Sequence, residues 1–390
     1  MSGPLSLKKT GRLPLIGGLT LPRITFWRLF AAAAIGVGLY ATFLRFALGL
    51  GATTNLSDAT PWGLWVGFDV LCGVGLAAGG FTITAAVHLF GLKDLKPIAR
   101  PAILTAFLGY IMVSAGLLFD LGRPYNIWHP LVMWNPHSVM FEVAWCVMLY
   151  STVLALEFSP MIFERFNMSR PLKIVKKISV PLVLAGVLLS TMHQSSLGSV
   201  FLIFPTKLHS LWYTSALPIF FFVSSIAAGL AMVIFESYVS NRFLGHRLKP
   251  EVLRAVARVA VVVLGVLLMM RLADLVYRGA LGDIFAAGIE GPLLAAELLL
   301  GIALPMFLFA SRRIRASRRG LFIAATFAVL GFVLNRLNVS LTGFEQSAGT
   351  PYFPSWQEIS ITLMLVVIGF IAFGLAAKHL PVFGHKRPVS

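Results

Sequence analysis

Leu217-Pro-Ile-Phe-Phe-Phe-Val-Ser-Ser-Ile-Ala-Ala-Gly-Leu-Ala-Met-Val-Ile-Phe235 runs without a single charged side chain until Glu236. An α-helix rises about 1.5 Å per residue, so a stretch of roughly 20 residues crosses the ~30 Å hydrocarbon layer of a bilayer. Runs of this kind recur along the chain, at roughly 25–50, 62–90, 100–121, 138–163, 178–202, 214–240, 252–278, 291–312, 319–342 and 357–379. Of the 390 residues, 58% are hydrophobic and 12% charged. Soluble domains carry about 25% charged residues. The sequence therefore predicts an all-α integral membrane protein of about ten transmembrane helices, arranged as two helical bundles. Residues 1–24 form a cytoplasmic tail, 25–380 a polytopic transmembrane domain, and 381–390 a second cytoplasmic tail. The apolar run after the tail is full membrane length, so the first helix is retained and not cleaved as a signal peptide.

The formal net charge of +17 would suggest nucleic acid in a soluble protein. Here its placement implies no nucleic-acid partner. Lys8, Lys9, Arg12 and Arg23 precede the first span. Lys93, Lys96 and Arg100 follow the second. Arg165, Arg170, Lys173, Lys176 and Lys177 follow the fourth, and Arg242, Arg247, Lys249 and Arg254 the sixth. Arg312, Arg313, Arg315, Arg318 and Arg319 follow the eighth, and Lys378, Lys386 and Arg387 close the chain. The alternate loops hold few cations, such as Arg123 and Lys207. That alternation is the positive-inside pattern and predicts both termini in the cytoplasm of a bacterial inner membrane. The cation-poor loops carry Trp62, Trp65, Trp128, Trp134, Trp212, Tyr352 and Trp356, which suit an aromatic belt at the outer interface.

Two cysteines, Cys72 and Cys146, are too few for an iron–sulfur cluster, which takes about four thiolates. No metal site is expected. Only His88 and His193 lie inside spans, at opposite ends, so a bis-histidine haem is not expected either. No loop is long enough for a soluble catalytic domain.

Ionisable residues at membrane depth cost at least ~2.5 kcal/mol each, which makes each one a functional candidate. Asp69, Asp120, Arg123, Glu142 and His193 fall toward the outer side, with Tyr110, Ser114 and Ser190 nearer the middle. A quinone site needs such a set. Two protons accompany two electrons, each carbonyl takes a hydrogen-bond donor, and histidine or a buried carboxylate relays protons. The simpler alternatives are an Asp120–Arg123 ion pair at a helix end and a packed His193. His88, Glu157, Glu236 and Arg258 form an inner layer. Glu157, Glu236 and Asp69 are candidate proton carriers, and Glu236–Arg258 is equally readable as a buried pair. Arg271, Asp274 and Arg278 share one helix face and read as a self-paired stripe, joined by Glu297, Arg336 and Asn338.

Several strings add a resemblance: Ser138-Val-Met-Phe-Glu142, Ala155-Leu-Glu157-Phe-Ser-Pro160, Thr191-Met-His193-Gln-Ser-Ser196-Leu-Gly198-Ser199, Val233-Ile-Phe-Glu236 and Tyr352-Phe-Pro-Ser-Trp356. From about Pro61 to about Leu380 the chain resembles the HybB-type membrane subunits of periplasmic nickel–iron hydrogenases, within the NrfD/PsrC superfamily. The resemblance implies a haem-free, quinone-reactive subunit beneath a periplasmic ferredoxin-like protein with several iron–sulfur clusters. Electrons from the hydrogenase large and small subunits would reach menaquinone, or ubiquinone, with possible coupling to proton translocation. It carries over Tyr110, Glu142, His193 and Glu236 as quinone-site and proton-transfer residues. Asp120, Arg123, Glu142, His193 and Tyr110 then form the expected quinone pocket, and Glu142, His193, Glu236, Glu157 and Asp69 the catalytic, proton-handling set. Relatives of the same fold serve sulfite-linked, polysulfide and nitrite complexes, so the catalytic partner stays open at this stage. A proton-coupled secondary transporter is the rival class, which helices broken at mid-depth would favour. A pure membrane anchor is a third reading.

Overall fold

The computed structural model describes residues 12–14, 20–22, 25–60, 62–245, 250–286 and 288–383. Lys8, Lys9, Arg23, Pro61, His246, Arg247, Lys249, His385, Lys386 and Arg387 lie outside them, so most of both tails does too. Ten helices are long and apolar enough to cross a membrane: α1 (Phe26–Leu48), α2 (Trp65–His88), α3 (Lys93–Asp120), α4 (Val139–Arg165), α5 (Ser179–Ile203), α6 (Leu217–Phe243), α7 (Pro250–Tyr277), α8 (Glu290–Ala310), α9 (Arg318–Ala348) and α10 (Trp356–His379). A short hairpin precedes them, β1 (Arg12–Pro14) antiparallel to β2 (Thr20–Pro22), which the sequence reading had treated as plain tail.

Local chemistry sets the helix starts. Ser355 accepts a hydrogen bond from the Glu358 backbone N–H while the Glu358 carboxylate accepts from the Ser355 N–H, a reciprocal cap on α10. Ser138 accepts from the Phe141 N–H and starts α4. α9 runs to Ala348, past the expected end near 342, and takes Arg336 and Asn338 inside the span. Three π-helical turns interrupt the α-helices, at Trp65–Val70, Glu297–Ala303 and Asn338–Thr342. Each carries a buried polar side chain: Asp69, Glu297 and Asn338 respectively. Such turns rotate the register of a helix by one residue and are frequent at functional sites.

The expected two bundles are present. Helices α2–α5 form one and α6–α9 the other, with α6 packed against α2 and α5 along the seam. α1 pairs with α10, and α10 leans on α3. Small residues permit the closest approaches. A Cβ on Gly79 would stand 2.8 Å from the Gly229 carbonyl oxygen at the seam, and one on Gly301 would stand 2.7 Å from the Gly331 Cα between α8 and α9.

The loops 121–138, 204–216 and 349–355 gather at one end of the bundle, here called the aromatic end. The loops rich in Lys and Arg gather at the other, the basic end. Trp128, Trp134 and Trp356 are exposed near the aromatic end, as a belt requires. Trp65 and Trp212 are not belt residues: both are fully buried. Trp65 packs on Phe119, and the Trp212 indole donates to Glu297.

Candidate functional site

A cavity of about 310 Å³ opens between α2, α3, α4 and α5 near the aromatic end. Its walls are apolar, including Val70, Val113, Val143, Val147, Leu197 and Phe201. Asp120 and Arg123 line it as the charged groups. They do not form the ion pair weighed from the sequence. Instead Arg45 of α1, only 2% exposed, donates from Nε to the Phe119 carbonyl and from a terminal nitrogen to the Leu121 carbonyl, both at 2.8 Å. The guanidinium thus caps α3 on either side of Asp120, whose Oδ1 is buried without a hydrogen-bond partner. Arg123 is exposed at the rim.

His193 and Tyr110 do not line this cavity. Tyr110 lies three residues before Val113 on α3, Tyr150 three after Val147 on α4, and His193 four before Leu197 on α5. Each therefore sits about one helical turn, ~5 Å, beneath a residue of the cavity floor. The three rings meet there, with centroids 4.7 Å apart for Tyr110–Tyr150 and 5.7 Å for Tyr110–His193. Both ring nitrogens of His193 and the Tyr110 hydroxyl are buried without a hydrogen-bond partner in the chain, and the Tyr150 and Ser190 hydroxyls meet beside them. Buried polar groups are normally satisfied, so this cluster marks a place able to take a polar ligand or ordered water. Ser114 connects the layers: it lines the cavity and donates to the Tyr110 carbonyl at 2.9 Å.

Glu142 is exposed and lies beside the cavity wall residue Val143. The Ser196 hydroxyl donates to it at 2.5 Å, tying α4 to α5. Asp69 is buried and faces α10, accepting from Thr362 at 2.6 Å. It therefore stands apart from the cavity although its neighbours Val66 and Val70 line it.

Toward the basic end, Glu236 accepts from Thr105 at 2.6 Å and lines a cavity of about 10 Å³, room for one water. It does not pair with Arg258, which faces a separate groove. Thr105 is five residues, about 8 Å, below Tyr110 on α3. Glu157 is seven residues below Tyr150 on α4. Two carboxylates on different helices thus approach the aromatic layer from the same side. His88 is exposed at the basic end of α2.

The second bundle holds a different polar cluster. Glu297 accepts from Arg271 at 2.8 Å, Asn335 at 2.7 Å, Trp212 at 3.1 Å and Asn338 at 3.3 Å. Arg336 donates to Asn335, the Phe221 carbonyl and Ser224, and stacks 3.7 Å from the Phe221 ring centroid. Arg278 pairs with Asp274 at 2.8 Å. The expected self-paired stripe is therefore half right: Arg271 turns away to Glu297.

The sequence reading does not single out Tyr150, Arg45 or Glu358, and takes Tyr352 only as a belt residue. Arg45 was legible as a lone cation in an apolar run. Glu358 was legible as the fourth residue of Ser-x-x-Glu. It is fully buried and accepts from the Asn55 N–H at 3.1 Å and from the Tyr352 hydroxyl. Burial and the neighbouring Glu358 carboxylate push the Tyr352 hydroxyl up from its ordinary range, so it remains a donor.

Ten apolar helices that bury carboxylates, arginines and an imidazole around an apolar cavity define a polytopic membrane protein equipped to handle charge within the bilayer. Residues 52–348 match the family model described as polysulphide reductase, NrfD, and the chain belongs to that family of multi-pass inner-membrane proteins. It is 42% identical over 357 residues to a protein of Nitratidesulfovibrio vulgaris, covering 89% of this chain and 91% of the relative. It is 34% identical over 343 residues to the probable Ni/Fe-hydrogenase 2 b-type cytochrome subunit of Escherichia coli, covering 87% of each. It is 27% identical over 401 residues to the menaquinone reductase integral membrane subunit of N. vulgaris, covering 95% and 94%.

Proposed function

We propose that this chain is the haem-free, quinone-reactive membrane subunit of a respiratory oxidoreductase. It exchanges electrons between an iron–sulfur partner docked at the aromatic end and the quinone pool. The observation that carries the reading is the apolar cavity with Asp120 and Arg123 at its mouth and the buried Tyr110–Tyr150–His193 layer, with its unpaired imidazole, beneath its floor. The residues fit a quinone: the walls accept an apolar ring and isoprenoid chain, and the charged groups offer polar contacts at one end. The names of the relatives, a menaquinone reductase subunit and a hydrogenase subunit, point the same way.

When bound, the quinone supplies two-electron, two-proton chemistry, and this chain's residues handle the protons. Arg123 donates a hydrogen bond at the rim. Asp120, flanked by the two carbonyls that Arg45 caps, lines the cavity as its acidic group. His193 and Tyr110, one turn below, exchange protons with the cavity floor. Glu236 and Glu157 supply them from the basic end, and Glu142 and Asp69 serve the aromatic end. Both termini are cytoplasmic in this reading, with menaquinone the favoured quinone and a nickel–iron hydrogenase with its ferredoxin-like multi-cluster subunit the favoured partners. The same quinone role in a sulfite-linked, polysulfide or nitrite complex is the alternative.

One finding bears on the b-type cytochrome name of the E. coli relative. His88 ends α2 at the basic end, whereas His193 lies fourteen residues, about 21 Å, from the basic end of α5. One haem iron, with axial ligands from both, does not span that depth, which supports the haem-free reading. α2 is interrupted at Ala77–Ala78, halfway along the span, which is the feature a transporter would share, although both residues keep right-handed helical backbone angles and the chain does not unwind there.

Mild-detergent purification from native membranes, followed by mass spectrometry of co-purifying chains, tests the assignment. A nickel–iron hydrogenase with an iron–sulfur protein supports it in full. A molybdoenzyme or multihaem cytochrome keeps the quinone role and removes hydrogen. A stable preparation with no redox partner overturns it.

A further inference from the structure

At the basic end a groove of about 410 Å³ lies between the start of α7 and the short helix Arg312–Ala316 that follows α8. Glu251, Arg254, Arg258, Arg312, Arg315 and Ala316 line it. Four guanidinium groups face one carboxylate. Glu251 stands 4.0 Å from Arg254, a loose and largely exposed contact. Among the described residues, Arg258, Arg312 and Arg315 pair with no carboxylate, and the Nε of Arg254 is buried without a partner. Cations gathered around one groove and not neutralised by the protein repel one another unless an anion joins them.

The groove does not end at the arginines. On α7, Arg254, Arg258, Val262 and Met269 follow at steps of four, four and seven residues, which places them on one helix face. Val262 and Met269 are each 65% exposed, and Phe307 on the neighbouring α8 is 66% exposed. A cationic head region thus continues into an exposed apolar strip directed toward the membrane interior. That combination fits an amphiphile with an anionic head and acyl chains. A free anion would use only the arginines.

We propose that this groove is a binding site for an anionic phospholipid, with the headgroup phosphate held by Arg258, Arg312 and Arg315 and the acyl chains laid along Val262, Met269 and Phe307. Arginine suits the phosphate because its planar fork makes two parallel hydrogen bonds. The site lies at the opposite end of the molecule from the cavity, in the other bundle, so it stands whether or not the quinone reading does.

The test is native mass spectrometry of the purified full chain, titrated with phosphatidylglycerol, with phosphatidylcholine and with inorganic phosphate. The unmodified chain is expected to retain phosphatidylglycerol over phosphatidylcholine. Replacing Arg258, Arg312 and Arg315 by Gln should lower that retention about fivefold for each arginine removed. The Lys triple variant keeps the charge but not the paired hydrogen bonds and should retain more lipid than the Gln variant and less than the unmodified chain. Equal retention of the two lipids by the unmodified chain overturns the proposal, as does undiminished phosphatidylglycerol binding by the Gln variant. Inorganic phosphate displacing the lipid and binding as tightly would make the site a free-anion site and overturn it as well. Where the Gln variant fails to fold, the lipid comparison on the unmodified chain decides.

Discussion

Glu297→Gln should destabilise the protein severely, and the size follows from its partners. The carboxylate is 1% exposed and the Arg271 side chain 5%. Oε1 accepts from Arg271 and Asn335, and Oε2 from Trp212 and Asn338. All four partners are donors only at these atoms. Glutamine keeps the shape but converts one oxygen to an NH₂ group. In either amide orientation two donors then face a donor, and the guanidinium loses its counter-charge. Removing one partner of a buried ion pair costs about 3–5 kcal/mol. With an unfolding entropy of roughly 2.1 cal/mol/K per residue, about 4 kcal/mol lowers the melting temperature of a chain this long by about 5 °C. Cys72 and Cys146 provide the assay, because both are free and buried. A thiol-reactive dye reports unfolding in detergent without a tag. Glu251→Gln is the control, since that side chain is 71% exposed and its replacement should shift melting very little. A fall of less than about 1 °C for Glu297→Gln would refute the account of the second bundle as a satisfied structural network.

His193→Ala should leave the chain stably inserted, because the imidazole makes no hydrogen bond to lose, yet lower quinone turnover by about a hundredfold. Unchanged turnover with a decylquinone acceptor removes His193 from the site. Asp120→Asn keeps the Arg45 cap on α3 intact and should reduce turnover with little change in melting temperature; a large stability loss would make Asp120 a structural residue. Glu236→Gln keeps an acceptor for the Thr105 hydroxyl, so proton uptake measured with a pH dye should suffer more than quinone binding; equal loss of both argues for a structural role. Gly301→Val places a side chain against the Gly331 Cα and should cost about 1–3 kcal/mol by forcing α8 and α9 apart, read in the same thiol assay.

The fold was legible because its cause is simple. A bilayer demands long apolar helices, and loop charge marks their order, so all ten spans were legible and eight of them to within a few residues at both ends. The exceptions have local causes. α3 begins at Lys93, earlier than expected, because its basic first turns lie at the interface where charge is cheap. α9 extends beyond 342 through a π-helical turn, which no hydropathy window records. The site was legible in composition and not in geometry. Asp120 and Arg123 share the cavity, whereas His193 and Tyr110 lie a turn beneath it, and Asp69 faces α10. Helix rotation decides these outcomes, and one residue of register moves a side chain by about 100° around the axis. Glu236 and Arg258 have similar depth yet face different cavities for the same reason. Trp65 and Trp212 sat at belt depth and still turned inward, Trp212 because its indole N–H had a buried carboxylate to serve.

The two bundles treat their largest clusters of buried polar side chains in opposite ways. Around Glu297 the donors find acceptors, and Arg336 is held on both sides by Phe221 and Phe332. Such a network is rigid and costly to open, which suits a frame. Around His193 the reverse holds: the imidazole nitrogens, the Tyr110 hydroxyl and the Gln194 Oε1 find no partner among the described residues of α2–α5. Leaving a buried polar atom unsatisfied costs about 1–3 kcal/mol, so these groups call for water or a ligand as partner. A frame would not accumulate that cost, since apolar residues of similar shape would fill the same space without it. The cost is understandable where the groups must change hydrogen-bond partners during work, as proton carriers do. On the proposed reading the first bundle is the working half and the second its support. The expected split of the Glu297→Gln and His193→Ala variants, one losing stability with turnover per folded molecule kept and the other losing turnover with stability kept, is the direct measure of that division.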